Sequence, residues 1–297
     1  MELFQKRQMS AVLVHINYFE QGQSLARACK MTRELGADGL EFRRKPSGYS
    51  KSDLEYLDEV SSALDQYPLD WISFGAPGVD LMSADEARKE RELDAAEKFY
   101  RKAAGRFPLR IVNTFAGDLR NPDPTLPGHE YVRHGSAIAT DAQWESAVMG
   151  FRRLSAIAEE LGFRFAFETH GVYLHDSLEA TLRLVQEIGS SHVGVLWDHA
   201  NLMLFSKAPE FNEVVQATGK SLFYVHLKNL LVHPSRFLAA GSLSGGILNI
   251  RDQLTQLNRA GYAGPLCIES PRAGDREEFL REDLAYLRRL LKDLPNT

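Results

Sequence analysis

Short runs rich in β-branched and aromatic residues alternate with longer, charged segments of helical period, and the alternation repeats eight times along the chain. The runs are 11–17 (AVLVHIN), 39–43 (GLEFR), 69–74 (LDWISF), 109–115 (LRIVNTF), 163–169 (FRFAFET), 193–198 (VGVLWD), 222–228 (LFYVHLK) and 265–270 (PLCIES). Segments between them, such as 83–104 and 141–161, read as amphipathic helices. Strands separated by helix-length crossovers pair in parallel. Eight such units in 297 residues, somewhat above the ~250 typical of the architecture, predict an α/β fold of the (β/α)8 TIM-barrel type. No linker divides the chain, so residues 1–297 are expected to form a single domain; an open parallel sheet is the alternative. The connection at 116–140 (AGDLRNPDPTLPGHEYVRHGSAIAT) has no period and carries three prolines and three glycines. It follows the fourth strand, on the catalytic side of a barrel, and is expected to be a lid or pocket wall, with a plain surface excursion as the other reading.

Composition narrows the function classes. With 44% hydrophobic and 25% charged residues the chain is globular rather than disordered. Lys plus Arg number 35 and Asp plus Glu 40, a net charge of −5 with no long basic run, which argues against nucleic acid as a partner. No apolar stretch approaches the roughly 18 residues of a membrane span, and the first residues, MELFQKRQMS, lack the apolar core of a secretory signal. A cytoplasmic protein without a membrane partner is expected. Two cysteines, Cys29 and Cys267, fit reduced packing residues better than a disulfide.

Acidic or imidazole side chains stand near the C-terminal ends of the last four runs: Glu168, Asp198, His226 and Glu269. Successive ones are 30, 28 and 43 residues apart, about one strand–helix unit each, so neighbouring strands would contribute one residue apiece. Each follows strongly apolar residues, where an unpaired carboxylate is costly to bury. Mutual stabilisation by one divalent cation is the natural account, and three carboxylates with an imidazole suit Mn2+ first, with Mg2+, Co2+ or Zn2+ also accommodated. Structural ion pairs or caps are the competing account. Period-two alternation puts His170 on the face of Glu168 and Lys228 on the face of His226, one step nearer the rim, where both would meet a substrate. Glu41 and Arg43 share a face in the same way, as substrate contacts or as an internal ion pair, and so do His15 and Asn17. His199 is a weaker rim candidate, and Trp197 should point away into packing. His129, His134, His233 and Arg236 lie on loops that can reach a pocket, Arg236 being the candidate substrate contact. No GxGxxG follows the first run, and GxxxxGK[ST], GxSxG and CxxC are absent.

The motifs GADGLEFR, FETH, VGVLWDHAN, VHLKN and RAGYAGPLCIE, in this order, resemble the xylose isomerase-like barrel superfamily, which includes sugar phosphate isomerases and epimerases and the AP endonuclease 2 group. The resemblance implies a TIM barrel with a divalent metal held by Glu168, Asp198, His226 and Glu269 at the C-terminal mouth. The nuclease members carry further histidines on the third and fourth strands and three residues after the sixth-strand aspartate. Here those strands end SFG and NTF, position 201 is Asn201, and no Asp-x-His follows His226. A DNA repair nuclease is therefore not expected, and a single-metal site is.

The expected activity is isomerisation or epimerisation of a monosaccharide-like hydroxy-carbonyl substrate by proton transfer through a metal-stabilised enediolate. Resemblance to ketose 3-epimerases suggests that one of Glu168 and Glu269 removes the carbon-bound proton and the other returns it. The alternative is a metal-dependent dehydratase or lyase of a keto-sugar or inosose, which shares the first half of that chemistry and uses His170 or Lys228 as the acid. A second alternative, from another class, is a non-catalytic metabolite-binding barrel. Homo-oligomers are common in the superfamily, and one is expected here.

Overall fold

The structure is a computed structural model and describes residues 11–46, 48–126, 130–205, 208–233, 238–270 and 272–295. In chain order the first half comprises β1 (Val12–His15), α1 (Leu25–Glu34), β2 (Gly39–Arg43), α2 (Asp53–Gln66), β3 (Trp71–Gly75), α3 (Glu86–Ala104), β4 (Ile111–Thr114) and α4 (Asp141–Leu161). The second half comprises β5 (Arg164–Glu168), α5 (Leu178–Ile188), β6 (Val193–Asp198), α6 (His199–Leu204), α7 (Phe211–Thr218), β7 (Leu222–Leu227), β8 (Asn229–Val232), β9 (Leu238–Gly241), α8 (Ile250–Arg259), β10 (Leu266–Ile268) and α9 (Arg276–Asp293). Eight parallel strands run in the order β3-β2-β1-β10-β7-β6-β5-β4, a nearly closed TIM barrel wrapped by helices. Between β3 and β4 no ladder forms among the described residues. That seam is bridged just beyond the strand ends, where Val79 N donates to Phe115 O at 2.9 Å and Leu81 N to Ala116 O at 3.1 Å. Gly78 permits this approach, since a Cβ there would stand 2.1 Å from Phe115 O.

Local signals fix the elements. Ser52 and Glu55 form a reciprocal capping box at the start of α2, as do Thr140 and Gln143 at α4, and Gly162 at φ +77° ends α4 in the left-handed conformation. Strand alternation sorts the core into two layers. Val12, Val14, Phe165, Phe167 and Trp197 pack outward against helices, whereas Leu13, Ile111, Ala166, Leu196, Phe223, Tyr224 and Cys267 fill the barrel. This interior plug leaves the polar residues of each strand at the C-terminal mouth. Cys29 and Cys267 are free thiols, both buried. Among the described residues no helix is long and apolar enough to cross a membrane.

The stretch after the seventh strand, unpatterned in sequence, forms the antiparallel hairpin β8–β9, pairing Asn229 with Gly241. The 116–140 connection is tied to the loop after β5. Asp118 bridges Tyr173, Leu119 N donates to Val172 O at 2.6 Å, and Ser136 Oγ donates to Asp176 Oδ1 at 2.6 Å. Val172 holds φ +63°, rare for a β-branched residue.

Candidate active site

Four adjacent strands bring the acid–imidazole set together. Glu168 ends β5, Asp198 ends β6, His226 lies on β7 level with Asp198, and Glu269 follows β10. One ligand atom from each of the four falls within 4.8 Å of the others. His226 Nδ1 stands 3.0 Å from Glu269 Oε2 and 3.9 Å from Glu168 Oε1. Lys228 Nζ, buried beside them, lies 2.9 Å from Asp198 Oδ2 and 3.3 Å from Glu269 Oε2.

Two asparagines knit the set. Asn113 Nδ2 donates to Glu168 Oε2 at 2.5 Å and to Glu41 Oε1 at 3.1 Å. Asn201 Nδ2 donates to Glu168 Oε1 at 3.0 Å, its side-chain oxygen accepts from Lys228 at 2.9 Å, and its backbone N–H donates to Asp198 Oδ1 at 2.9 Å. Asp198 thereby caps the short helix α6 with one oxygen and presents the other to the mouth. Asn17 Nδ2 donates to Glu269 Oε1 at 3.1 Å.

Crowded like charges set the electrostatics. Burial raises the Glu168 carboxyl above its usual range, and the Glu269 and Asp198 charges add to that against the pull of His226. Glu269 goes the other way: its burial is outweighed by Lys228, His15 and His226, which hold it well below. Lys228 stays charged despite burial because Asp198, Glu269 and Glu168 surround it. Glu41, although buried, is held at about 2 by His226, His15 and Asn113.

A divalent cation fits this donor set. Three carboxylates and an imidazole nitrogen converge within one coordination sphere, and the ring nitrogen facing Glu168 and Glu269 needs either a proton or a cation between it and those carboxylates.

Of the other candidates, Lys228 joins the cluster and His170 lies at its rim. There His170 Nδ1 is 3.0 Å from Gly171 O, and its ring packs near Phe115, Tyr173 and Phe205. Glu41 faces the interior but pairs with His226, His15 and Asn113 rather than with Arg43. Arg43 reaches instead to Glu20, with hydrogen bonds of 2.8 and 3.0 Å, and both line a cavity of about 930 Å³ with Phe115 and Tyr173. His199 lies apart from the cluster: it accepts from the outward-facing Trp197 indole at 3.3 Å and packs edge-on against Phe211. His134 is buried within the 116–140 connection itself, accepting from Asn121 N at 2.8 Å. Arg236 and His129 lie outside the described residues. Asn113 was not singled out by the sequence; a polar residue at an inward position of a strand end was its only signal.

An eight-stranded barrel with acids and an imidazole at its C-terminal mouth has its polar groups where barrels of this kind hold small molecules. The chain belongs to the xylose isomerase-like TIM barrel family, whose model matches residues 29–290. Inosose dehydratase of Geobacillus kaustophilus (strain HTA426) is 29% identical over 173 residues, 58% of this chain and 53% of that protein. The chain spans about half the length of the curated relatives it matches. Solved structures of like fold include sugar epimerases: D-psicose 3-epimerase of Clostridium cellulolyticum H10, with D-tagatose, has a TM-score of 0.73 at 16% identity, covering 95% of this chain and 99% of that one. A xylose isomerase-like TIM barrel protein of Mycobacterium smegmatis in complex with magnesium has a TM-score of 0.72 at 20% identity, covering 95% and 96%.

Proposed function

We propose that this chain is a divalent-cation-dependent isomerase or epimerase of a monosaccharide-like hydroxy-carbonyl compound. The observation that carries the reading is the convergence of Glu168 and Glu269, from two strands, on one point with Asp198 and His226. These four would hold the cation, with Mn2+ the first choice for such a set. When bound, the cation supplies positive charge beside the oxygen that becomes negative as the neighbouring carbon loses its proton.

The chain's own residues do the rest. Glu168 and Glu269 are the acid–base pair, one taking the carbon-bound proton and the other returning it. Lys228 donates to a substrate oxygen from inside the cluster, and His170 orients one at the rim. Phe115 and Tyr173, 4.8 Å apart, give the mouth an apolar wall that limits water, and the 116–140 connection is the wall's outer part. Arg43 serves a substrate with an anionic or strongly polar end.

A second reading is favoured by the relative just named as an inosose dehydratase. In it the same carbon acid is deprotonated, and Lys228 or His170 gives its proton to a departing hydroxyl. Ketoses and keto-inositols offered in D2O with Mn2+ separate the two. Deuterium at the exchanged carbon without new ultraviolet absorbance supports epimerisation or isomerisation, whereas growth of enone absorbance supports dehydration. No exchange and no absorbance with any of them would count against both.

A further inference from the structure

Glu41 on β2 is a carboxylate in the closed interior beneath the mouth, and its partners all donate. His15 Nδ1 accepts from Asn17 N at 3.1 Å, so the proton of a neutral His15 sits on Nε2, 3.7 Å from Glu41 Oε1. Asn113 Nδ2 donates to the same oxygen at 3.1 Å. The other oxygen, Oε2, lies 3.2 Å from His226 Nε2. A carboxylate can only accept, so His226 must present Nε2–H to it. The other ring nitrogen, Nδ1, lies 3.0 Å from Glu269 Oε2 and 3.9 Å from Glu168 Oε1, so without a cation it carries a proton as well; a cation held among these carboxylates would take the place of that proton, while Glu41 keeps the one on Nε2. Tyr224 and His15 flank the ring edge-on, at 5.1 and 5.8 Å between centroids, and deny it another orientation. Glu41 has zero exposure, whereas Glu168 keeps a little of its surface open, so Glu41 stands behind the groups offered to the mouth.

We infer that Glu41 is a positioning residue: it fixes the tautomer and tilt of His226 so that Nδ1 is the nitrogen offered to the cation. The inference rests on the cation-site reading above. It also decides between two groupings that share His226, because Glu41 and Cys267 stand within 4.8 Å of it on the opposite side and would need Nε2 as the ligand. Partners that orient a ligating histidine change metal affinity by about 10–100-fold when removed.

The test has two parts on the full chain. Long-range 1H–15N spectra of the Zn2+-loaded wild type should show His226 protonated at Nε2 and metal-bound at Nδ1; metal on Nε2 overturns the inference. Calorimetry with Mn2+ should give Glu41→Gln a Kd about 10–100-fold weaker than wild type, with Glu41→Asp in between. A purely packing role would lower the melting temperature of the metal-free variant and leave the Kd of the folded protein unchanged. A Kd within twofold of wild type therefore sinks the role of Glu41 while the cation site stands. A wild type that binds no divalent ion sinks both. If Glu41→Gln fails to fold, the wild-type spectrum decides alone.

Discussion

Lys228 Nζ lies 2.9 Å from Asp198 Oδ2, and both side chains are buried. The lysine therefore balances part of the negative charge that a cation would otherwise balance. Removing one partner of a buried ion pair costs about 3–5 kcal/mol. Lys228→Met should accordingly melt well below wild type without metal, and Mn2+ should raise its melting temperature by more than it raises that of wild type. Equal rises in a thermal scan would show that the lysine and the cation do not share this charge.

Metal removal from the wild type should be visible as stability. A ligand at about 100 times its Kd adds about 2.7 kcal/mol, which for a domain of this size is about 5 °C in Tm. Chelation should lower Tm by that order, Mn2+ should restore it, and His226→Ala should abolish the response. Indifference of the wild type to Mn2+, Mg2+, Co2+ and Zn2+ alike would leave the four strand-end residues as structural ion pairs.

Glu168→Gln and Glu269→Gln each keep the shape of the mouth and remove a proton acceptor. At saturating metal each should lower kcat by about 10²–10⁴-fold, the usual worth of a general acid or base. Stopped assays of both, with metal content measured on the same samples, check this. Full turnover in either variant would remove that glutamate from the proton-transfer pair.

Away from the mouth, Asp283 on α9 accepts from Tyr18 Oη at 2.8 Å and from Leu243 N at 3.0 Å, and pairs with Arg272 at 3.1 Å. It ties the ends of β1 and β9 to the last helix, and Asp283→Asn should cost about 1–3 kcal/mol. Burial raises the Asp283 carboxyl, against Leu243, Tyr18 and Arg272. A folded-state pKa above the unfolded value of about 3.9 means that the native chain binds more protons just above that pH, so this group's contribution falls as pH rises through the window. Urea titrations should therefore show a wider stability gap between wild type and Asp283→Asn at pH 4 than at pH 7. A gap that widens from pH 4 to pH 7 contradicts the sign.

The barrel was legible because its signals are periodic and local. Runs 39–43 and 193–198 and helix 141–161 match β2, β6 and α4 residue for residue. The hairpin β8–β9 was not legible, since Leu231 and Val232 on it are exposed and show no buried alternation. In the site, Glu168, Asp198, His226 and Glu269 announced themselves as charged groups after apolar runs. Alternation placed Lys228 correctly on the face of His226, but no spacing rule could say that its nearest partners would be Asp198 and Asn201. Glu41 and Arg43 share a strand face yet take different partners, because one ends in the closed interior and the other beside Glu20. Asn113 and Asn201 carry no charge and make no metal motif; only the meeting of strands distant in sequence gives them a role.

The four strands that bear the acid–imidazole set, β5, β6, β7 and β10, are consecutive staves of the barrel, and the unladdered joint between β3 and β4 falls outside that block. The laddered staves hold the acid–imidazole set at fixed spacing, while the open joint is bridged by loop hydrogen bonds beyond the strand ends and by Arg110 over the Trp71 ring. Insertions or substitutions around 76–81 and 115–117 would thus alter the entrance more readily than the spacing of Glu168, Asp198, His226 and Glu269.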